Sequence, residues 1–423
     1  MIRAIRGMKD ILPPETSRWQ WVETRARETF ELYGYREIRL PLLERTELFA
    51  RSIGADTDIV AKEMYTFTDR RGDSLTLRPE ATAQVVRACL ENGLMQRAGV
   101  GKFYLIGPMF RYERPQKGRY RQFHQINCEA LGSDAPELDA EVILMLLDLL
   151  GKVGVKDLRL VINSLGCPEC TVDFKAQLQL YLKAQEGWCD DCRRRLETNP
   201  LRVLDCKSQH CQALLAGAPT MEDSLCEDCS RHYKRVLSLL DGAGQAYVKN
   251  PHLVRGLDYY TRTAFEVTAR GLGAQDSVAG GGRYNGLARE LGGSDLPGLG
   301  FAIGEDRLME VLPQEAGPDI MALTFLAALG DAARERAFFL LQEIRARGLP
   351  AAMDFEGRSL KSQMSLADRL GAAMVIILGD QEMAAGTAVL RHMATGGQEV
   401  LPLNELVPGL TARVGHKEGN ERV

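Results

Sequence analysis

The chemistry-bearing residues of this chain are densest in one run, Phe110 to Gln125. Five basic residues and one acid lie between Arg111 and Arg121. A solvated hairpin tip would account for part of that charge. It would not explain why Pro115, Gly118 and the aromatics Tyr112, Tyr120 and Phe123 are interleaved with arginines. The guanidinium fork matches the oxygens of a phosphate bidentately. An arginine on a strand beside a basic loop therefore suits a nucleotide phosphate on the strand side and an RNA end on the loop side.

Two further runs carry candidate groups. From Leu299 to Leu308, three glycines or alanines alternate with larger residues before Arg307. Glycine on a strand admits close approach of a flat ligand, and an arginine at the following helix start can meet a phosphate. Taken alone, plain strand-to-helix packing is the preferred reading of such a run. From Leu253 to Glu266, an Arg255-Gly256 turn precedes the adjacent tyrosines Tyr259 and Tyr260. Buried tyrosine hydroxyls need partners, which a polar substrate would supply.

Eight of the ten cysteines lie between Cys167 and Cys229. The spacing Cys167-x2-Cys170-x18-Cys189-x2-Cys192 fits a four-thiolate zinc site, and Cys206, Cys211, Cys226 and Cys229 nearly form a second set. The reading favoured by sequence is nonetheless a group of reduced, partly buried thiols, with a structural zinc at the first set as the alternative.

The elements that must position these groups follow from periodicity. Residues 15–32 carry Trp19, Val22, Ala26 and Phe30 at helical spacing. Tyr35 to Leu43, interrupted by Pro41, reads as an edge or interface strand. Residues 64–69 and 74–78 read as a hairpin, 80–95 as a helix, and 103–112 and 120–130 as two strands joined by the basic loop. A helix over 136–152 and a strand over 158–163 follow. The texture then becomes Cys-rich and charged over 166–250, with helical periodicity at 171–184 and 230–242, as an inserted helical module would show. Strands are expected at 263–268 and 275–280, then a strand-to-helix run over 299–311. After a linker at 312–318, strands and helices alternate (strands 321–329, 350–354 and 373–378; helices 331–347 and 360–369), which implies a small α/β domain.

The balance of 53 Lys and Arg against 57 Asp and Glu, net −4, excludes a general nucleic-acid coat, so RNA binding would need locally concentrated charge. No apolar run reaches the roughly 18 residues that a bilayer span requires. The N-terminal residues lack a leader's apolar core. The expectation is a cytoplasmic protein without membrane attachment.

Taken together, these runs resemble the class II aminoacyl-tRNA synthetases. The segment 110–125 resembles their second signature, 299–308 the third, and Tyr35 to Leu43 the first. The run from Arg255 to Glu266 is similar to the histidine-binding signature of the histidyl-tRNA synthetase family. Leu77 to Thr82, Gly280 to Leu287 and Gly357 to Met364 also match that family, in its order and over essentially the whole chain. Ala81 stands where the family usually has glycine, and Asn285 where it usually has aspartate.

The resemblance implies an α+β fold: an antiparallel sheet flanked by helices, a helical insertion and a C-terminal α/β anticodon-binding domain. It divides the chain into a catalytic domain over 1–165 and 251–316, the insertion over 166–250 and the anticodon-binding domain over 320–423. It implies a homodimer that joins histidine to its tRNA, with ATP and Mg2+, through a histidyl-adenylate, releasing pyrophosphate and then AMP. It assigns Arg255 and Arg111 to catalysis. Glu80, Thr82, Arg111, Gln125, Glu129, Arg255, Tyr259 and Tyr260 would bind histidine, and Arg111, Arg121 and Arg307 would bind ATP. Arg114 and Gln116 would face the acceptor end of the tRNA, Arg358 and Lys361 the anticodon. Three other readings compete. They are a histidine-sensing regulatory subunit of ATP phosphoribosyltransferase, a class II synthetase for another amino acid such as proline or threonine, and a plain RNA-binding module.

Overall fold

The structure, a computed structural model, describes residues 2–54, 57, 59–96, 99–270, 277–318 and 321–415. The chain forms two compact units, Met1–Pro318 and Asp319–Val423. The strands of the first unit are, in chain order, β1 (Arg36–Glu37), β2 (Leu43–Arg45), β3 (Tyr65–Thr68), β4 (Ser74–Leu77), β5 (Gly101–Phe110), β6 (Gln122–Leu131), β7 (Arg159–Ser164), β8 (Val248–Lys249), β9 (Thr261–Thr268), β10 (Ser277–Arg283) and β11 (Gly298–Gly304). Eight of them form one sheet in the order β1-β5-β6-β11-β10-β9-β7-β8. Its interior pairs are antiparallel, and only the edge pairs β1–β5 and β7–β8 are parallel.

Period-2 alternation divides this sheet into a core face and a ligand face. On β6, Ile126, Cys128 and Ala130 join the core, as do Leu299, Phe301 and Ile303 on β11. They pack against Val22, Ala26 and Phe30 of the helix Glu15–Leu32, the buried stripe of Pro136–Lys152, and Tyr233, Val236 and Leu240 of Glu227–Gly242. Each fully buried aliphatic or aromatic side chain stabilises by about 1.5–3 kcal/mol. Phe30→Ala would cost about 3–5 kcal/mol through the cavity it leaves. The alternate residues of β6, namely Gln125, Asn127 and Glu129, are thereby turned to the other face.

The expected strand over Tyr35 to Leu43 is divided. Only Arg36–Glu37 pairs with β5, and after Ile38 donates its N–H to the Tyr104 carbonyl (2.8 Å) the chain leaves the main sheet. Pro41 has no N–H to continue a ladder; its carbonyl instead accepts from the Gln84 amide (3.1 Å). The chain resumes as β2, which joins the β3–β4 hairpin in a separate three-stranded sheet. The helix expected over 80–95 spans Thr82–Glu91. The expected strand at 275–280 begins at Ser277, its first two residues lying outside the described set.

Within 166–250 the charged, Cys-rich sequence folds as helices Pro168–Lys183, Asp190–Thr198, Gln209–Leu214 and Glu227–Gly242. The first three surround a small core of their own, including Phe174, Leu178, Leu182, Trp188 and Leu196, while the last also packs in the main core.

The second unit is built on β12 (Thr324–Ala328), β13 (Ala351–Met353), β14 (Met374–Leu378), β15 (Thr387–His392) and β16 (Gln398–Pro402), in the order β13-β12-β14-β15-β16. β12 pairs parallel with β13 and β14, and β15 and β16 add antiparallel strands, giving a mixed sheet. Among the described residues, no helix is long and apolar enough to cross a membrane.

Candidate active site

The ligand face of the large sheet opens into a cleft of about 530 Å³, within the usual range for small-molecule sites. Arg111, Glu80, Thr82, Gln125, Arg255, Tyr259, Tyr260 and Arg307 all line it. Residues separated by more than 200 positions are thus brought to one wall by the pairing of β6 with β11 and of β9 with β10.

The arginines are held by few contacts. Arg111 follows β5, its Nε donates to the Pro79 carbonyl (2.9 Å), and its guanidinium lies 5.3 Å from the Phe123 ring centre. Its two terminal nitrogens have no protein partner among the described residues. Arg255 pairs with Glu266 of β9 and lies 5.5 Å from the Tyr260 ring, while its buried Nε has no partner among the described residues. Arg307 donates to the carbonyls of Gly118 (3.3 Å) and Ser277 (3.1 Å). Burial, helped by Arg119 close by, lowers its pKa. The Oε1 of Gln125 and the Nδ2 of Asn127 are also buried without hydrogen-bond partners among the described residues. Buried polar atoms are nearly always satisfied, so these gaps mark where a polar ligand would sit.

At the cleft floor the carboxylates are already engaged. Glu80 accepts from the backbone N–H of Thr82 (2.7 Å) and Ala83 (3.0 Å) and so caps the helix Thr82–Glu91, with the Tyr259 hydroxyl 3.5 Å away. Burial raises its pKa. Glu129 does not line the cleft. It lies beneath it, accepting from Thr82 Oγ1 (2.6 Å) and from the Tyr284 hydroxyl. Burial pushes its pKa up to about 8, against the opposing effect of those two hydrogen bonds. Tyr284, unassigned from sequence, also meets the Tyr259 ring edge-on at 5.7 Å.

The glycines of 298–304 serve packing, the preferred reading of that run. A side chain at Gly298 would strike the Tyr284 ring, and one at Gly300 the Glu129 carboxylate. On β10, a side chain at Gly280 would strike the Arg255 guanidinium. These small residues make room first for the protein's own polar groups; Ala302 and Gly304 do line the cleft.

Three groups stand apart. Arg121 is not among the lining residues: its guanidinium lies 3.8 Å from the Tyr112 ring centre and its Nε donates to the Glu113 carbonyl (3.3 Å). Arg119, which pairs with Glu113 (3.2 Å), occupies the cleft instead. Arg114 and Gln116 are exposed on the β5–β6 loop. In the second unit Arg358 donates to Asp354 (3.2 Å) and, with Lys361, is exposed at the start of the helix Leu360–Arg369. Sequence reasoning also missed Arg195, Arg202, Asp205 and Lys207 of the insertion, which line the cleft. Arg202 donates to the Arg255 carbonyl (2.9 Å). The only signal was their charge, between cysteine pairs.

The cysteines pair differently from the order of their spacing. Cys167 and Cys170 gather with Cys226 and Cys229, and Cys189 and Cys192 with Cys206 and Cys211. The proposed set of Cys167, Cys170, Cys189 and Cys192 is therefore corrected. The helix Pro168–Lys183 separates its two pairs, and the fold returns the chain at 226 to the first pair.

An antiparallel sheet with this arginine-lined cleft, in a chain that also carries a separate mixed α/β unit, defines a class II aminoacyl-tRNA synthetase. The sequence model of histidyl-tRNA synthetase matches residues 7–179 and 196–308, and that of the anticodon binding domain matches 324–413. The chain belongs to the histidyl-tRNA synthetase family. It is 51% identical to a histidine–tRNA ligase of Desulfosudis oleivorans, covering 99% of this chain and 100% of that one. It is 52% identical to that of Desulfatibacillum aliphaticivorans, covering 98% of each. The apo histidyl-tRNA synthetase of S. aureus superposes with a TM-score of 0.80 at 38% identity, over 96% of this chain and 99% of that one.

Proposed function

We propose that this chain is a histidine–tRNA ligase, which activates histidine with ATP and passes it to its tRNA. The observation that carries the reading is a single cleft lined by Arg111, Arg255, Arg307, Tyr259 and Tyr260. The amino-acid carboxylate is ionised at neutral pH and needs no general base. Its attack on the α-phosphorus of ATP forms the P–O bond of histidyl-adenylate and expels pyrophosphate. What the protein must supply is alignment and positive charge where negative charge grows. The free terminal nitrogens of Arg111 suit the α-phosphate, and Arg255, seated between Glu266 and Tyr260, suits the attacking carboxylate and the same phosphate. Arg307 suits the remaining phosphates. Arg121 would join it only after leaving Tyr112, and Arg119 already lines that end. In the second step a ribose hydroxyl of the tRNA terminal adenosine attacks the acyl carbon and AMP departs.

For histidine, Glu80, Thr82 and Gln125 would meet the α-amino end and Tyr260 one imidazole nitrogen, with Tyr259 lining the pocket; Glu129, beneath the cleft, would reach the other nitrogen only by giving up Thr82 or Tyr284. A pocket paired to both ring nitrogens leaves an apolar competitor's partners unsatisfied, and discriminates by roughly 10⁴–10⁵. Magnesium would arrive on the ATP phosphates, where it neutralises charge. A hard cation fits the carboxylate oxygens of Glu113 and Asp306, which line the cleft and would hold it. Residues 1–165 and 251–316 would form the catalytic domain, 166–250 the insertion, and 320–423 the anticodon-binding domain, with Arg358 and Lys361 toward the anticodon and Arg114 and Gln116 toward the acceptor end. A homodimer would cover the exposed Leu42, Leu43 and Phe67. The cytoplasm, where tRNA and ATP are found, is the compartment this activity requires.

The test is ATP–pyrophosphate exchange with each of the twenty amino acids, followed by charging of histidine tRNA. Exchange with histidine alone, and charging, is expected. Exchange with another amino acid, or none at all, would overturn the reading; the latter would favour a histidine-sensing regulatory subunit.

A further inference from the structure

The eight cysteines of the insertion form two tetrathiol clusters whose geometry suits a metal ion. In each, the four sulfurs lie within 4.8 Å of one another, and among the described residues no cysteine is in a disulfide. A tetrahedral zinc with bonds of about 2.3 Å spaces its sulfurs about 3.8 Å apart. The separations of Cys167 from Cys170 (3.5 Å) and of Cys189 from Cys206 (3.9 Å) bracket that value. A disulfide would bring two sulfurs to about 2.05 Å, and a polynuclear iron–sulfur cluster would spread its thiolates farther than a single ion does.

The local folding is built for the purpose. Cys167, Cys189 and Cys226 each precede the first turn of a helix, and in each case the second cysteine of the pair follows one turn later, so both sulfurs converge. Backbone N–H groups cross between pairs: that of Cys226 donates to the Cys170 sulfur (3.1 Å) and that of Cys189 to the Cys211 sulfur (3.5 Å). Cys170, Cys192, Cys206, Cys211 and Cys229 are buried, and the other three half-buried. The match to the family sequence model breaks over 180–195, where Cys189 and Cys192 lie, so these ligands stand outside what that match covers.

We infer that the insertion binds two structural zinc ions, one at Cys167, Cys170, Cys226 and Cys229 and one at Cys189, Cys192, Cys206 and Cys211. The sites are nested. The outer one closes the insertion at its base, where the chain leaves β7 and where the helix Glu227–Gly242 enters the main core. The inner one ties both ends of the segment carrying Arg195, Arg202 and Asp205, which forms a wall of the cleft and holds the Arg255 carbonyl through Arg202. The ions thus close long loops that a small core holds only weakly.

The full chain, purified without added zinc, is expected to contain about two zinc equivalents by mass spectrometry. An organomercurial titration should release each ion with about four thiols. Cys226→Ser with Cys229→Ser should lose one equivalent, and so should Cys206→Ser with Cys211→Ser. If these variants fail to fold, cobalt exchanged into the unaltered chain should give the visible absorption of tetrahedral cobalt thiolate. Less than about a tenth of an equivalent of metal, no cobalt spectrum, or peptide mapping that finds the eight cysteines in disulfides would overturn the inference.

Discussion

Two arginines that meet the same strand, β10, have opposite fates. Arg283, at the end of β10, is fully buried and fully bonded: it pairs with Asp139 through Nε (2.9 and 2.8 Å) and Nη2 (2.5 Å), and donates to the carbonyls of Ser133 and Ala135 (2.9 Å each). His232 completes the group at 3.3 Å from Asp139. Arg255, whose side chain lies against the same strand at Gly280, has one carboxylate partner and an unsatisfied Nε. The first guanidinium has nothing left to offer a ligand; the second keeps donors in reserve. The number of hydrogen bonds already made, and not burial or residue type, separates the structural arginine from the one suited to catalysis.

The sharpest way to break that contrast is to remove each side chain. Arg283→Ala strands the Asp139 carboxylate and should cost about 3–5 kcal/mol in denaturant unfolding. Replacing both partners by apolar residues of similar volume should recover much of the loss. Arg255→Ala should leave unfolding within about 1 kcal/mol of the parent. It should slow histidyl-adenylate formation by roughly 10²–10³ with little change in histidine affinity, as single-turnover kinetics and calorimetry would read. Unchanged activation kinetics would remove Arg255 from the mechanism.

Acid and base sharpen the comparison further. Burial alone would raise the Asp139 pKa, but His232 and Arg283 outweigh it and hold it below the usual range. Its contribution is present at neutral pH and is lost as pH falls through that lowered value. Glu129 behaves oppositely. With its pKa near 8 against 4.5 unfolded, the folded state keeps a proton that the unfolded chain releases. The contribution is complete below the unfolded pKa and disappears as pH rises through the folded one. Ligand-free protein should therefore lose roughly 2–3 kcal/mol from this group between about pH 6 and pH 9. Glu129→Gln should flatten that slope in urea titrations and weaken histidine binding; an unaltered slope would show that Glu129 is ionised in the folded state.

The smallest effect belongs to the tail unit. Arg358→Ala or Lys361→Ala should weaken tRNA binding by about 1 kcal/mol, roughly a fivefold rise in KM for tRNA, while pyrophosphate exchange is unchanged. A fall in exchange would place these residues in the catalytic machinery.

Much of this was legible without coordinates. Helical spacing of Trp19, Val22, Ala26 and Phe30 marked a helix that spans Glu15–Leu32. The strand pair around the basic loop, and the turn from Leu299 into the helix of Arg307, also lie where they were expected. Arg111, Gln125, Arg255, Tyr260 and Arg307 were named from their runs and share one cleft. The misses have a common origin. Tyr284 and Arg202 reach the site through contacts with Glu129 and with the Arg255 backbone, partners 155 and 53 positions away, and no local pattern records such a contact. Arg121 sits among the same arginines in sequence but is turned onto Tyr112.

The order of apolar and polar residues determined by itself which elements form and which face each presents, because helix and strand periods are properties of the local backbone. It also determined that the cysteines come in close pairs. Which pairs meet, which arginine spends its donors on protein and which keeps them, and which carboxylate retains a proton were decided only when distant segments packed together. Those outcomes depend on desolvation and on partners, and both exist only in the assembled fold.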